Sequence, residues 1–199
     1  MTLLTEAIAF AAKAHDGMTR RGSEIPYIVH PMEAVAIAAS ITDDEAVLAA
    51  AALHDVSEDC GVTEETLRER FGAKVARLVA CESQTNWGDP CRSWDARKHE
   101  AIRKIAHGCR EAKIVALSDK LSNMRAIHRD YLLDGESLFC RFHQQDKRRH
   151  AWYYRSCTAM LESELSDTDA WRELAALVET VFGRMDCVQE DKEDDVCAG

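Results

Sequence analysis

The chain has 199 residues, 46% hydrophobic and 30% charged, with a formal net charge of −10. That length can bury a sizeable core in one domain, and the acidic balance argues against a non-specific nucleic-acid binder. No apolar run approaches the roughly 20 residues of a membrane span, so no membrane role is expected.

The N-terminus, Met1-Thr-Leu-Leu-Thr-Glu6, lacks the basic and apolar stretches of a secretory signal. None of the eight cysteines forms a CxxC pair, so reduced thiols in a cytoplasmic protein are expected. Strand signals are weak and helix signals many. Residues 2–16 are Ala-rich, with Leu4, Ile8 and Ala11 at helical spacing. Gly17 to Val29 reads as a loop, and His30-Pro31 starts a second helix with Pro31 in its first turn. Thr42-Asp-Asp-Glu45 reads as a capping box opening the helix that carries His54. Thr63 caps a short helix that Gly72 ends, and 73–82 form another. Ser83 to Ser93 is a polar loop. Further helices are expected near 94–107, 110–130, 144–165 and 168–184. The result is one all-α domain over 1–185, followed by an acidic, flexible tail over 186–199.

Chemistry concentrates in three places. The run Leu53-His54-Asp55-Val56-Ser57-Glu58-Asp59 continues the apolar stretch Ala46-Val-Leu-Ala-Ala-Ala-Ala-Leu53. An imidazole and a carboxylate side by side suit a divalent transition metal. On one helix, His54 and Glu58 are i,i+4 neighbours, as are Asp55 and Asp59. The bland alternative is an acid-rich helix end at the surface. Asp119 follows the apolar run Ile114-Val-Ala-Leu117, where an acid is costly unless paired or metal-bound. Asn123 lies one turn beyond it, and His30 stands at a helix start. Two His and two Asp would make a mixed nitrogen and oxygen site with positions left for water and substrate.

Together these residues resemble the HD superfamily of metal-dependent phosphohydrolases, which implies a helical bundle around a metal site. The match narrows. Ala14-His-Asp-Gly-Met-Thr-Arg20 with Pro26-Tyr-Ile-Val-His-Pro31 resembles the opening motif of the (p)ppGpp hydrolase domain of RelA/SpoT proteins. His54-Asp-Val-Ser-Glu-Asp59 resembles its second motif, and Ala116-Leu-Ser-Asp-Lys-Leu-Ser-Asn-Met124 its third. With no residues left for a synthetase domain, the chain is most similar to the single-domain small alarmone hydrolases, Mesh-type proteins included.

The resemblance implies that His30, His54, Asp55 and Asp119 hold Mn²⁺. It implies that Glu58 and Asp59 position and deprotonate water. It assigns Asn123 to the ribose–phosphate side, Arg20 to the guanine base and Tyr27 to the same pocket loop. Arg21, Lys98 and Arg103 are candidate cations for the phosphates, although a solvated helix face is the favoured reading of the last two. Met18, Ser57 and Ser122 depart from the pattern, and none of them is a proposed ligand. His15 is read as packing or capping, and Trp152-Tyr153-Tyr154 as core or interface. The implied reaction is hydrolysis of the 3′-diphosphate of (p)ppGpp to GDP or GTP and pyrophosphate. The implied partner is the guanosine polyphosphate itself, and the oligomeric state stays open. The rivals are a phosphohydrolase for another nucleotide, such as a dNTP, a nucleoside monophosphate or NADPH, and a non-catalytic alarmone-binding module.

Overall fold

Four consecutive alanines, Ala49 to Ala52, are fully enclosed and mark the centre of the molecule. The computed structural model describes residues 1–83 and 92–183, and within them the regular elements are helices beside one isolated bridge between Thr19 and Pro26. The helices are α1 (Leu3–Ala14), α2 (Val29–Ala39), α3 (Glu45–Leu53), α4 (Val56–Cys60), α5 (Glu64–Glu82), α6 (Trp94–His107), α7 (Arg110–Asp134), α8 (Lys147–Leu165) and α9 (Asp169–Phe182). A 3₁₀ segment, Gly135–Arg141, joins α7 to α8.

Two helices form the axis of the fold. Helix α3 is apolar on every side and is surrounded by α1, α2, α5 and α7. Its alanines let these neighbours approach closely, as small interface residues do. Helix α7 is buried without a break from Ala112 to Ser122, and α2, α3, α5, α8 and α9 pack around it. An all-round buried helix carries little amphipathic signal. Polar residues within it, Asp119 among them, therefore have to be satisfied by neighbouring helices.

Local signals explain the helix starts. Side chains of Thr2, Thr63, Ser93 and Thr168 each accept the N–H three residues on. The start of α3 differs from the expected capping box. Asp44 is the cap, accepting from the Ala46 N–H at 3.0 Å, while Thr42 accepts from the Asp44 N–H at 3.2 Å. Glu45 instead reaches the first turn of α1 and accepts from the Leu4 N–H at 3.1 Å. The expected break at Gly72 is present as a kink within α5, at φ 87° and ψ 164°. The domain end at 185, the tail 186–199 and loop positions 84–91 lie outside the described residues.

Candidate metal centre and active site

His30 sits in the first turn of α2, buried beside α7. Its Nδ1 lies 2.8 Å from the Ser122 hydroxyl, which itself donates to Glu33 Oε2 at 2.7 Å. With its proton committed to Glu33, the hydroxyl can only accept from His30, so the His30 proton is on Nδ1. His54 Nδ1 lies 2.8 Å from the Ala51 carbonyl, an obligatory acceptor, so His54 also carries its proton on Nδ1. Both Nε2 lone pairs then point inward.

These two nitrogens are 3.2 Å apart. Asp55 Oδ2 stands 3.4 Å from His30 Nε2 and 3.1 Å from His54 Nε2. Asp119 Oδ1 stands 3.1 Å and 3.6 Å from the same two atoms. With both rings neutral, four acceptor atoms converge with no hydrogen between them, an arrangement that a cation at the centre, or a proton on His54, would satisfy. Metal–ligand bonds of about 2.1 Å imply ligand–ligand edges of about 3.0 to 3.4 Å for octahedral or tetrahedral sites. The observed edges fall close to that range, and the donor set of two imidazoles and two carboxylates fits a divalent metal. His30, His54 and Asp55 meet the ligand-atom spacing of a metal group.

The electrostatics agree with a site built for positive charge. Burial opposes protonation of His54, but Asp55 and Asp119 outweigh it and push its pKa well above the ordinary imidazole value. Burial would raise the Asp119 carboxyl, yet Lys120 and the two histidines hold it well below the usual carboxylate range. Lys120 pairs with Asp119 Oδ2 and, at 3.2 Å, with Glu82 Oε2. One Asp119 oxygen therefore faces the cluster and the other a lysine.

The expected continuous helix from His54 to Asp59 is not found. Helix α3 ends at Leu53, His54 and Asp55 form the junction, and α4 begins at Val56. The Asp55 carbonyl still accepts the Asp59 N–H at 2.9 Å, so the acidic pair remains one turn beyond the ligands. Glu58 and Asp59 are half-buried in α4. Burial, then the Asp55 charge, raises the Asp59 pKa, which makes it a stronger base than a free carboxylate.

The loop before α2 closes one side. Tyr27 donates to Asp55 Oδ2 at 2.7 Å, and burial with the Asp55 and Asp59 charges keeps it a phenol. Arg20 donates to Asn123 Oδ1 at 2.9 Å, and Asn123 donates to Asp119 Oδ1 at 2.6 Å. The Arg20 guanidinium lies 5.6 Å from the Tyr27 ring centre. Arg21 is exposed and, among the described residues, makes no hydrogen bond to these groups. His15 ends α1, bonds the Ala11 carbonyl and stacks on Tyr27 at 4.9 Å, so it both caps and packs. Arg103 is exposed on α6 as a solvated cation. Lys98 does not fit that reading. Its Nζ lies 4.2 Å from the Tyr153 ring centre, in the α6–α8 contact.

Three supporting residues escaped the sequence reading: Glu33, Ser122 and Lys120. Glu33 lies at i+3 from His30, a spacing that places both on one helix face. Lys120 adjoins Asp119 in sequence. Ser122 carried no signal beyond its departure from a larger residue.

Residues 7–137 match the HD domain family model. The chain is 37% identical over 131 residues to the guanosine-3′,5′-bis(diphosphate) 3′-pyrophosphohydrolase MESH1 of Danio rerio, covering 64% of this chain and 70% of that protein. It is 36% identical over 129 residues to the guanosine-3′,5′-bis(diphosphate) 3′-pyrophosphohydrolase of Vibrio cholerae, covering 62% of this chain but only 18% of that longer protein. In fold it is similar to a metazoan ortholog of SpoT that hydrolyzes ppGpp, with a TM-score of 0.76 at 24% identity, over 92% of this chain and 98% of that one.

Proposed function

The chain belongs to the HD-domain family, and from that premise we propose that it is a guanosine-3′,5′-bis(diphosphate) 3′-pyrophosphohydrolase, converting ppGpp or pppGpp to GDP or GTP and pyrophosphate with Mn²⁺ as cofactor. The observation that carries this reading is the convergence of His30, His54, Asp55 and Asp119 with Glu58 and Asp59 one turn away. The likeness to MESH1 over 70% of that protein's length supports the choice of substrate.

A divalent ion held by the four ligands would draw charge from a phosphate oxygen and make a nearby water more acidic. The chain's own groups supply the rest. Glu58 and Asp59 act as a coupled acid–base pair that takes the proton from the attacking water. Asp59, whose pKa burial and the Asp55 charge raise, is a stronger base for that proton than a free carboxylate. Attack on the 3′ phosphorus breaks its bond to the ribose 3′ oxygen. That oxygen leaves with a proton, and pyrophosphate carries the oxygen from water. Tyr27, locked as a donor, fixes the free rotation of Asp55. Arg20 and Asn123 form a polar edge for the nucleoside, with the guanidinium face suited to a purine. Most catalysis in such a site comes from positioning and charge.

A panel of ppGpp, pppGpp, dNTPs, nucleoside monophosphates and NADPH tests the substrate. Faster turnover of one of the others than of both alarmones would overturn the assignment.

A further inference from the structure

Asp119 divides its two carboxylate oxygens between different partners. Oδ1 lies 3.1 Å from His30 Nε2 and 3.6 Å from His54 Nε2, and it accepts from Asn123 Nδ2 at 2.6 Å. Oδ2 accepts from the Lys120 ammonium. Neighbouring side chains on a helix diverge rather than face each other, so Lys120 has to fold back along α7 to make this contact. A second acid holds it there. Lys120 Nζ donates to Glu82 Oε2 at 3.2 Å, at the end of α5. Asp119 is 9% exposed and Lys120 7%, so water competes little for either bond.

Where the lysine sits decides how Asp119 can serve an ion. A carboxylate binds a divalent cation through one oxygen or through both. With both oxygens engaged, Asp119 would close a position that an octahedral ion such as Mn²⁺ otherwise leaves for water or a phosphate oxygen. An ammonium on Oδ2 opposes that mode in two ways. It engages the oxygen that would have to turn toward the ion, and its own charge repels a second cation brought close to the same oxygen. The Asn123 amide on Oδ1 further fixes the plane of the carboxylate.

We propose that Lys120 is a positioning residue that restricts Asp119 to coordination through one oxygen and so keeps a position on the metal open for water. Glu82 is the anchor that holds the lysine folded back over Oδ2. This role presupposes the metal centre proposed above.

The test is the relaxation of water protons per bound Mn²⁺, which reports water exchanging through the open positions of the paramagnetic ion, beside Mn²⁺ affinity by dye competition. Lys120→Met is expected to lower the relaxation by about half, as one of about two open positions closes. It should also tighten Mn²⁺ binding by about 10-fold, because a cation leaves and a donor oxygen is gained. Lys120→Arg, which keeps the charge, is expected to retain the relaxation of the unaltered protein. Lys120→Met combined with Glu82→Leu removes the carboxylate that the single change leaves buried and unpaired, so it gives the same fall in relaxation in a protein of native helix content. Unchanged relaxation in the folded variants would overturn the proposal, and a raised KM for ppGpp beside it would make Lys120 a substrate contact instead. Failure of Mn²⁺ to bind the unaltered protein would defeat the metal centre and this role together. Bound Mn²⁺ without cleavage of ppGpp would defeat the reaction alone, since the relaxation comparison needs no turnover.

Discussion

Ser122 carries more than its size suggests. It accepts from His30 and donates to Glu33, whose other oxygen accepts from Arg125 at 3.1 Å. Arg125 in turn donates to both oxygens of Glu173 on α9, at 2.7 and 2.6 Å. A ligand histidine whose second nitrogen is tied to a carboxylate is a stronger donor with a fixed ring. Here the tie runs through one hydroxyl. Glu33→Gln should therefore weaken metal binding by about 10- to 100-fold with little change in helix content, measured by competition with a metal-binding dye. Loss of the two roles in the acidic run should separate cleanly. Asp55→Asn is expected to lose both bound metal and hydrolysis, whereas Glu58→Gln should keep its metal and lose turnover by at least about 100-fold. Metal analysis beside the rate measurement checks both, and full turnover in Glu58→Gln would remove the residue from the chemistry. Of these residues, His54, Asp55 and Asp119 were legible because ligand-type side chains adjoin apolar runs. Ser122 was not, because a serine in a helix has many roles and only the fold shows which partners flank it.

Among the elements, α5 shows how much a single backbone position decides. Gly72 adopts a φ of 87°, and nothing lies within 4 Å of an added Cβ there. Substitution is penalised by backbone conformation alone. Gly72→Ala should destabilise the fold by about 1 to 3 kcal/mol, read as a lower urea midpoint at unchanged slope. Helix α8 contributes a pH dependence. Burial, with help from Lys98, lowers the pKa of His150, which bonds the Gln144 carbonyl through Nε2 at 2.7 Å. An unfolded histidine titrates near pH 6.5 (about the free value) and there takes up a proton the folded one refuses. The contribution of His150 is thus complete above that pH and is lost as pH falls toward the lowered folded value. His150→Gln should show a smaller drop in urea midpoint between pH 7.5 and 5.5 than the unaltered chain. The helices themselves were legible from spacing and caps. The junction at His54-Asp55 was not, since its dihedrals stay near helical and its sequence carries no breaker. The cap at Asp44 was misplaced because Glu45, expected to close the box, is drawn away to the start of α1.

For the whole molecule, the proposed metal ligands come from α2, the α3–α4 junction and α7, helices far apart in sequence. A cation at their meeting point would tie these helices together and bind only the folded state. Chelation should therefore lower the melting temperature, and saturating Mn²⁺ at about 100 times its dissociation constant should restore about 2.7 kcal/mol. Sequence alone identified the three motifs and pointed to one shared site, but not the packing that joins them, in which α2 and α7 both lie against the small alanines of α3. Metal-dependent removal of the 3′-diphosphate is tested most directly by incubation with ppGpp and Mn²⁺ while GDP and pyrophosphate are quantified, with and without a chelator. Equimolar GDP and pyrophosphate that disappear on chelation are expected. Unchanged ppGpp with the metal bound, or product formation indifferent to the chelator, would contradict it.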